Sequence, residues 1–222
     1  MNAKTAILVD GGFFIKRYKS LKKHTTYHPE EVAKDLWEMC VNHLKQRDGV
    51  THELYRIFYY DCPPFSKKLH NPITKKSVDF SKTEEYQFKM NFLEALKKKR
   101  KVAIRLGKLE SQRQWILKPQ KTKDLFNGKI QIKDLNEKDV FYDLRQKQVD
   151  IKIGLDIASM SLKKQVNQIV LVSADSDFIP AAKLARREGI DFILDNMYNP
   201  IKPMLFEHID GLQSRVKKPG KL

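Results

Sequence analysis

Apolar and polar positions follow two rhythms along this chain. Five short runs, Thr5–Val9 (TAILV), Glu53–Tyr60 (ELYRIFYY), Val102–Leu106 (VAIRL), Ile169–Val172 (IVLV) and Asp191–Leu194 (DFIL), are dense in β-branched and aromatic residues. They predict strands, the most apolar of them buried on both faces as in a parallel sheet. Elsewhere the period lengthens to that of a helix. Pro29–Gln46 places Val32, Leu36, Met39/Cys40 and Leu44 on one stripe, and Pro29, Glu30 and Glu31 suit a first turn. Thr83–Lys99 carries Tyr86, Met90, Leu93 and Leu96/Lys97 near one face, and Val149–Leu162 carries Ile153, Ile157 and Met160. A further helix follows Phe178 through Pro180 and Leu184 to Gly189, and a last one covers Ile201–His208. Strands alternating with helices predict an α/β protein with a parallel sheet.

Three stretches are less regular. Lys16–Lys23 is basic and reads as a solvated loop, as does Ser66–Asp79. Within Gly107–Lys147, Trp115–Leu117 and Lys129–Ile132 are predicted to pair as a hairpin around Phe126-Asn127-Gly128. No linker divides the chain, so one domain over residues 1–222 is expected, with a basic, aromatic-containing insertion at about 107–147. The basic tail Arg215–Leu222 is expected to fray.

Charge changes the picture. The 222 residues carry a formal net charge of +16, which points to an anionic partner such as nucleic acid. Residues 62–149 hold 22 Lys+Arg against 10 Asp+Glu, whereas the segments on either side are each close to neutral. The run Lys97-Lys98-Lys99-Arg100-Lys101 exceeds what a helix C-terminus needs. Arg113 and Trp115, with Phe126, Phe141 and Tyr142, interleave cations and rings in the manner that suits single-stranded nucleic acid. The same rings equally suit anchoring of the insertion or a contact between two copies of the chain. Cys40 and Cys62 are too few for a disulfide framework or a cysteine zinc site, and no apolar run approaches the ~20 residues that span a bilayer. A cytoplasmic protein without a membrane partner is expected.

The candidate chemistry lies where strands end in acids. Ile169–Phe178 (IVLVSADSDF) is a strand followed by Ser173, Asp175 and Asp177 at the corner leading into a helix, where ligands bind in parallel α/β sheets. A helix cap needs one such residue, not three. The first strand ends in Asp10-Gly11-Gly12, the second in Asp61-Cys62-Pro63-Pro64, and the fifth in Asp195-Asn196. G-x-G-x-x-G is absent after the first strand, which argues against a dinucleotide site, and Gly12 stands where a haloacid-dehalogenase-type phosphatase needs its second Asp. Asp150 opens the Val149–Leu162 helix; Asp156, six residues on, lies about 9 Å further along the axis on another side, so Asp150 is the better ligand candidate. The six histidines are scattered, and His43 reads as a core-edge residue.

Together VDGGFFIKRY, YYDCPP, QVDIKIGLDIASMSL and LVSADSDFIPAAKLARREGIDFIL resemble the NYN domain family, a branch of the PIN-like nucleases. The resemblance implies a three-layer, Rossmann-like parallel sheet with helices on both faces, and a cluster of acids that holds Mg²⁺ or Mn²⁺ for hydrolysis of RNA. The matching acids are Asp10, Asp150, Asp175 and Asp177, the first three as direct metal ligands, with Asp61, Asp156 and Ser173 as supporting residues. One position departs: the family's Asp-Gly-x-Asn reads Asp10-Gly11-Gly12-Phe13. The expectation is a metal-dependent ribonuclease acting on single-stranded RNA. Its rivals are a non-catalytic RNA-binding module on the same fold and a metal-dependent phosphatase, which would leave the basic middle idle.

Overall fold

The TAILV run lies within a longer strand, β1 (Asn2–Asp10). Ala6 and Leu8 face one layer and Ile7 and Val9 the other, all four without solvent exposure, so this strand is the centre of a sandwich of helices. The computed structural model describes residues 2–22, 26–45 and 51–217. After β1 come α1 (Gly11–Lys22), α2 (Pro29–Asn42), β2 (Thr51–Asp61), β3 (Lys68–His70), β4 (Ser77–Asp79), α3 (Glu84–Lys97) and β5 (Val102–Leu106). There follow β6 (Lys108–Leu117), α4 (Pro119–Phe126), β7 (Val140–Lys147), α5 (Val149–Leu162), β8 (Gln168–Val172), α6 (Ile179–Arg187), β9 (Asp191–Asp195), α7 (Pro203–Phe206) and β10 (Gly211–Leu212).

Six strands form one parallel sheet in the order β10-β9-β8-β1-β2-β5. One face packs on α1, α2 and α3 through Phe14, Leu36 and Phe92; the other packs on α5 and α6 through Ile153, Ile157 and Ala182. The expected three-layer α/β arrangement is therefore present. The chain builds outward from β1 to β2 and β5, then returns to place β8, β9 and β10 on the opposite side. The strand order reverses between β1 and β8, and in open parallel sheets that reversal leaves a crevice at the carboxyl ends.

Several local expectations are corrected. Lys16–Lys22 is not a loop but the second half of α1, because Phe14 and Tyr18, four residues apart, bury one helical stripe while Lys16 and Lys19 face out. The 66–79 segment contains the antiparallel pair β3–β4. Trp115–Leu117 does not pair with Lys129–Ile132. Trp115 lies opposite Tyr142, Ile116 opposite Phe141 and Leu117 opposite Val140. Pro119 starts a helix there, and Asn127-Gly128 ends it, with Gly128 in the left-handed region at φ +66°. The Asn-Gly signal that suggested a hairpin turn is a helix C-terminus. The last helix shrinks to the single turn α7, and β10, too short for a period to register, extends the sheet. Val216 is buried, and residues 218–222 of the tail lie outside the described set, as does Gln46 of the predicted second helix. Among the described residues no helix is long and apolar enough to cross a membrane.

Candidate acid cluster at the carboxyl edge

Asp10 is the last residue of β1. It pairs in register with Tyr60 of β2, while Val9 lies opposite Val172 of β8. Asp10 and Ser173 thus leave neighbouring strands side by side, about 4.8 Å apart by ordinary sheet spacing. The chain must then turn sharply into α1. A Cβ on Gly11 would come within 2.4 Å of the Tyr59 hydroxyl and 2.6 Å of the Tyr60 carbonyl oxygen, so only glycine fits. The Phe13 amide donates to Asp10 Oδ1 at 3.1 Å. That bond comes from the main chain and does not depend on the side chain at position 13, where the family pattern has Asn.

Beyond β8, the Asp175 amide donates to Ser173 Oγ at 3.2 Å and the Asp177 amide donates to Asp175 Oδ1 at 3.0 Å. Asp175 therefore does cap the 3-10 turn Ser176–Phe178, with one carboxylate oxygen. Asp177 lies inside that turn, and both carboxylates are exposed. Asp150 arrives with the first turn of α5. That turn is tied to the same edge: the Gly107 amide donates to the Asp61 carbonyl at 2.7 Å, and a Cβ on Gly107 would meet the Lys147 carbonyl at 2.4 Å.

The electrostatics link these acids. Burial, reinforced by the charges of Asp150 and Asp61, pushes the Asp10 carboxyl up to about 6 despite the amides of Phe13 and Gly12. Asp150 is likewise raised, first by burial and then by Asp175 and Asp177. Asp61 differs in being compensated. It is buried, and it accepts from Lys89 Nζ at 2.7 Å, the Cys62 amide at 2.6 Å, the Tyr59 hydroxyl at 3.1 Å and Gln146 Nε2 at 3.5 Å. It backs the cluster instead of opening into it.

Asp10, Asp150, Asp175 and Asp177 offer the hard oxygen donors that suit Mg²⁺ or Mn²⁺, and their mutual repulsion is what such an ion relieves. As the side chains stand, no three acid, His or Cys side chains among the described residues are gathered to hold an ion. The donor chemistry fits the metal; the rotamers are not closed around one point.

Other predicted residues lie elsewhere. Asp156 is drawn away by the Tyr60 hydroxyl at 2.7 Å and Arg105 Nε at 3.5 Å. Lys97–Lys101 ends α3 and leads into β5, at the amino edge of the parallel sheet and so opposite the acids; Lys97 pairs with Glu94 and Lys101 with Glu53. The Arg113 side chain lies outside the described set. Trp115 packs on Phe80 and Tyr142 in the hairpin β6–β7. Asp195, at the same edge as Asp10, is consumed by a fully buried pair with His43 at 2.7 Å. Lys89 and Gln146 were missed. Lys89 carried a signal, since it sits between Tyr86 and Leu93 on an otherwise apolar stripe; Gln146 carried none.

Comparison with curated proteins returns no match. A crystal structure of a protein of unknown function from Vibrio parahaemolyticus aligns over 96% of this chain and 92% of that one, at 15% identity and a TM-score of 0.49, a likeness too distant to bear on function. The NYN domain family model matches residues 4–199, most of the chain, from the first strand past Asp195. With a six-stranded parallel sheet flanked by helices in the PIN-like manner, the chain belongs to the NYN domain family of the PIN-like nuclease superfamily.

Proposed function

We propose that this protein is a metal-dependent ribonuclease that hydrolyses RNA phosphodiester bonds at the carboxyl edge of its sheet. The observation that carries the reading is the placement of Asp10, Asp150, Asp175 and Asp177 at the carboxyl edge of the sheet, beside the point where the strand order reverses. Asp10, Asp150 and Asp175 are the residues that would hold Mg²⁺ or Mn²⁺. Bound there, the ion supplies an acidified water and offsets charge at the scissile phosphate. Asp177 would complete the acidic cluster or orient that water. Ser173 fixes the Asp175 backbone, and Asp61, held by Lys89, keeps negative charge behind Asp10.

The RNA backbone has a local cationic track. Lys108 and Lys147 are directly opposite across β6–β7, both exposed, at the end of the hairpin nearest the acids. Like charges so placed are unfavourable until an anion lies between them. This pair, not Lys97–Lys101, is where the strand's phosphates lie. The protein works as one domain with the hairpin and its connection as an insertion, and its two cysteines, buried and unpaired, suit a reducing cytoplasm.

One observation favours a rival. The acids are not gathered around a point, as a non-catalytic RNA-binding module would also allow. Incubating labelled single-stranded RNA with the protein in Mn²⁺ or Mg²⁺, beside an EDTA control, decides. Metal-dependent cutting supports the nuclease; salt-sensitive binding without cutting across several RNAs supports the rival.

A further inference from the structure

Beside the acids lies a groove of about 680 Å³ between the hairpin β6–β7 and the segment joining β2 to α3. Six aromatic side chains line it, and four of them form a cluster. Phe65 stacks on Tyr142 with centroids 5.4 Å apart at 29°, Trp115 meets Tyr142 edge-on at 5.5 Å, and Phe80 lies 6.2 Å from both Trp115 and Tyr142. Phe65 and Phe80 also meet edge-on, 5.0 Å apart, so the rings pack on one another and brace the hairpin. These remain partly exposed around a space larger than one nucleobase.

The groove is continuous with the acid cluster. Lys89 and Gln146 line it, and the same two side chains hold Asp61 directly behind Asp10. Glu85 and Glu137 line it together with Lys89 and Lys138, so its lining charges balance, and its rings and polar edges suit a flat, neutral heterocycle. The phosphates are left to the exposed Lys108–Lys147 pair outside. Within the ribonuclease reading above, on which this rests, we propose that the groove takes the unpaired bases of the strand being cut, stacked on Trp115 and Tyr142. Duplex RNA, with its bases already paired and stacked, does not enter.

The test uses Trp115 as its own reporter. The other tryptophan, Trp37, lies on α2 with its indole N–H on the Arg100 carbonyl, remote from the groove, so a Trp37→Phe background leaves Trp115 alone. In EDTA, a short single-stranded oligoribonucleotide is expected to quench Trp115 emission. The same strand made abasic at its centre, or paired as a duplex, is expected to bind about tenfold more weakly without quenching. Trp115→Ala is expected to weaken binding about tenfold and Trp115→Phe to keep most of it. The abasic strand leaves the protein unaltered, so its result does not depend on how the variants fold. Equal binding of intact and abasic strands with unchanged emission overturns the groove. Cleavage measured in parallel with Mn²⁺ separates the two claims. Cutting without quenching overturns the groove and spares the nuclease; quenching without cutting does the reverse; absence of any RNA binding overturns both.

Discussion

Lys89 Nζ lies 2.7 Å from Asp61 Oδ1, joining the middle of α3 to the end of β2 immediately behind Asp10. The carboxylate is almost wholly enclosed, and Lys89 is its cation. Replacing one partner of such a pair leaves a buried charge without its counterpart. Lys89→Met is expected to lower the unfolding free energy by about 3 kcal/mol. Adding Asp61→Asn is expected to recover most of the loss, as read by urea denaturation of the four members of the cycle. A double variant no more stable than Lys89→Met contradicts the pairing.

Asp10 makes the metal-free protein sensitive to pH. Its carboxyl titrates at about 6 in the folded state against 3.8 for an ordinary Asp, so the folded state binds the proton more tightly. Its contribution to stability is therefore fully present below about pH 4, is lost as pH rises through 6, and is then level, a total loss of about 3 kcal/mol. Thermal melts in EDTA are expected to show this decline, and Asp10→Asn to reduce it to the smaller part that the raised Asp150 carboxyl contributes, melting several degrees above the parent at about pH 8. Added Mg²⁺ is expected to raise the melting temperature of the parent and not of Asp10→Asn.

Two glycines give opposite results for the same substitution. Gly11→Ala drives a Cβ into the Tyr59 ring and the Tyr60 carbonyl, and is expected to be destabilising by about 3 kcal/mol or to block folding. Gly154, inside α5, has nothing within 4 Å of its Cβ position. Gly154→Ala is expected to stabilise by roughly 0.5–1 kcal/mol through helix propensity alone. Denaturant midpoints of the two variants check both signs.

Long apolar periods make most of the architecture legible in the sequence. The run IVLV and the stripe through Ile153, Ile157 and Met160 each appear as expected, because burial on a sheet face imposes the pattern directly. The acids at strand ends were legible for the same reason, since an acid that follows a buried strand must emerge at the sheet edge. What failed was non-local. Nothing near Trp115 in sequence says that its partner is Tyr142, 27 residues away, and the intervening Asn-Gly serves a helix end as readily as a turn. Asp195 looked equivalent to Asp10 because both close a strand; only the distant His43 distinguishes them. The basic run Lys97–Lys101 drew attention by composition, but which sheet edge it occupies depends on the direction of β5.

In the proposed ribonuclease the acids perform chemistry and do not merely shape the fold. The most direct test of that role measures cleavage and RNA affinity together for the parent and for Asp175→Asn. The substitution removes one negative charge from an exposed side chain and keeps the Oδ1 that accepts from the Asp177 amide, so the turn is expected to persist. Metal-dependent cutting is expected to fall by at least about a hundredfold, roughly 2.7 kcal/mol in the barrier, while RNA binds as well as before or better. Undiminished cutting by Asp175→Asn, or lost RNA binding in a protein that is still folded, would contradict that role.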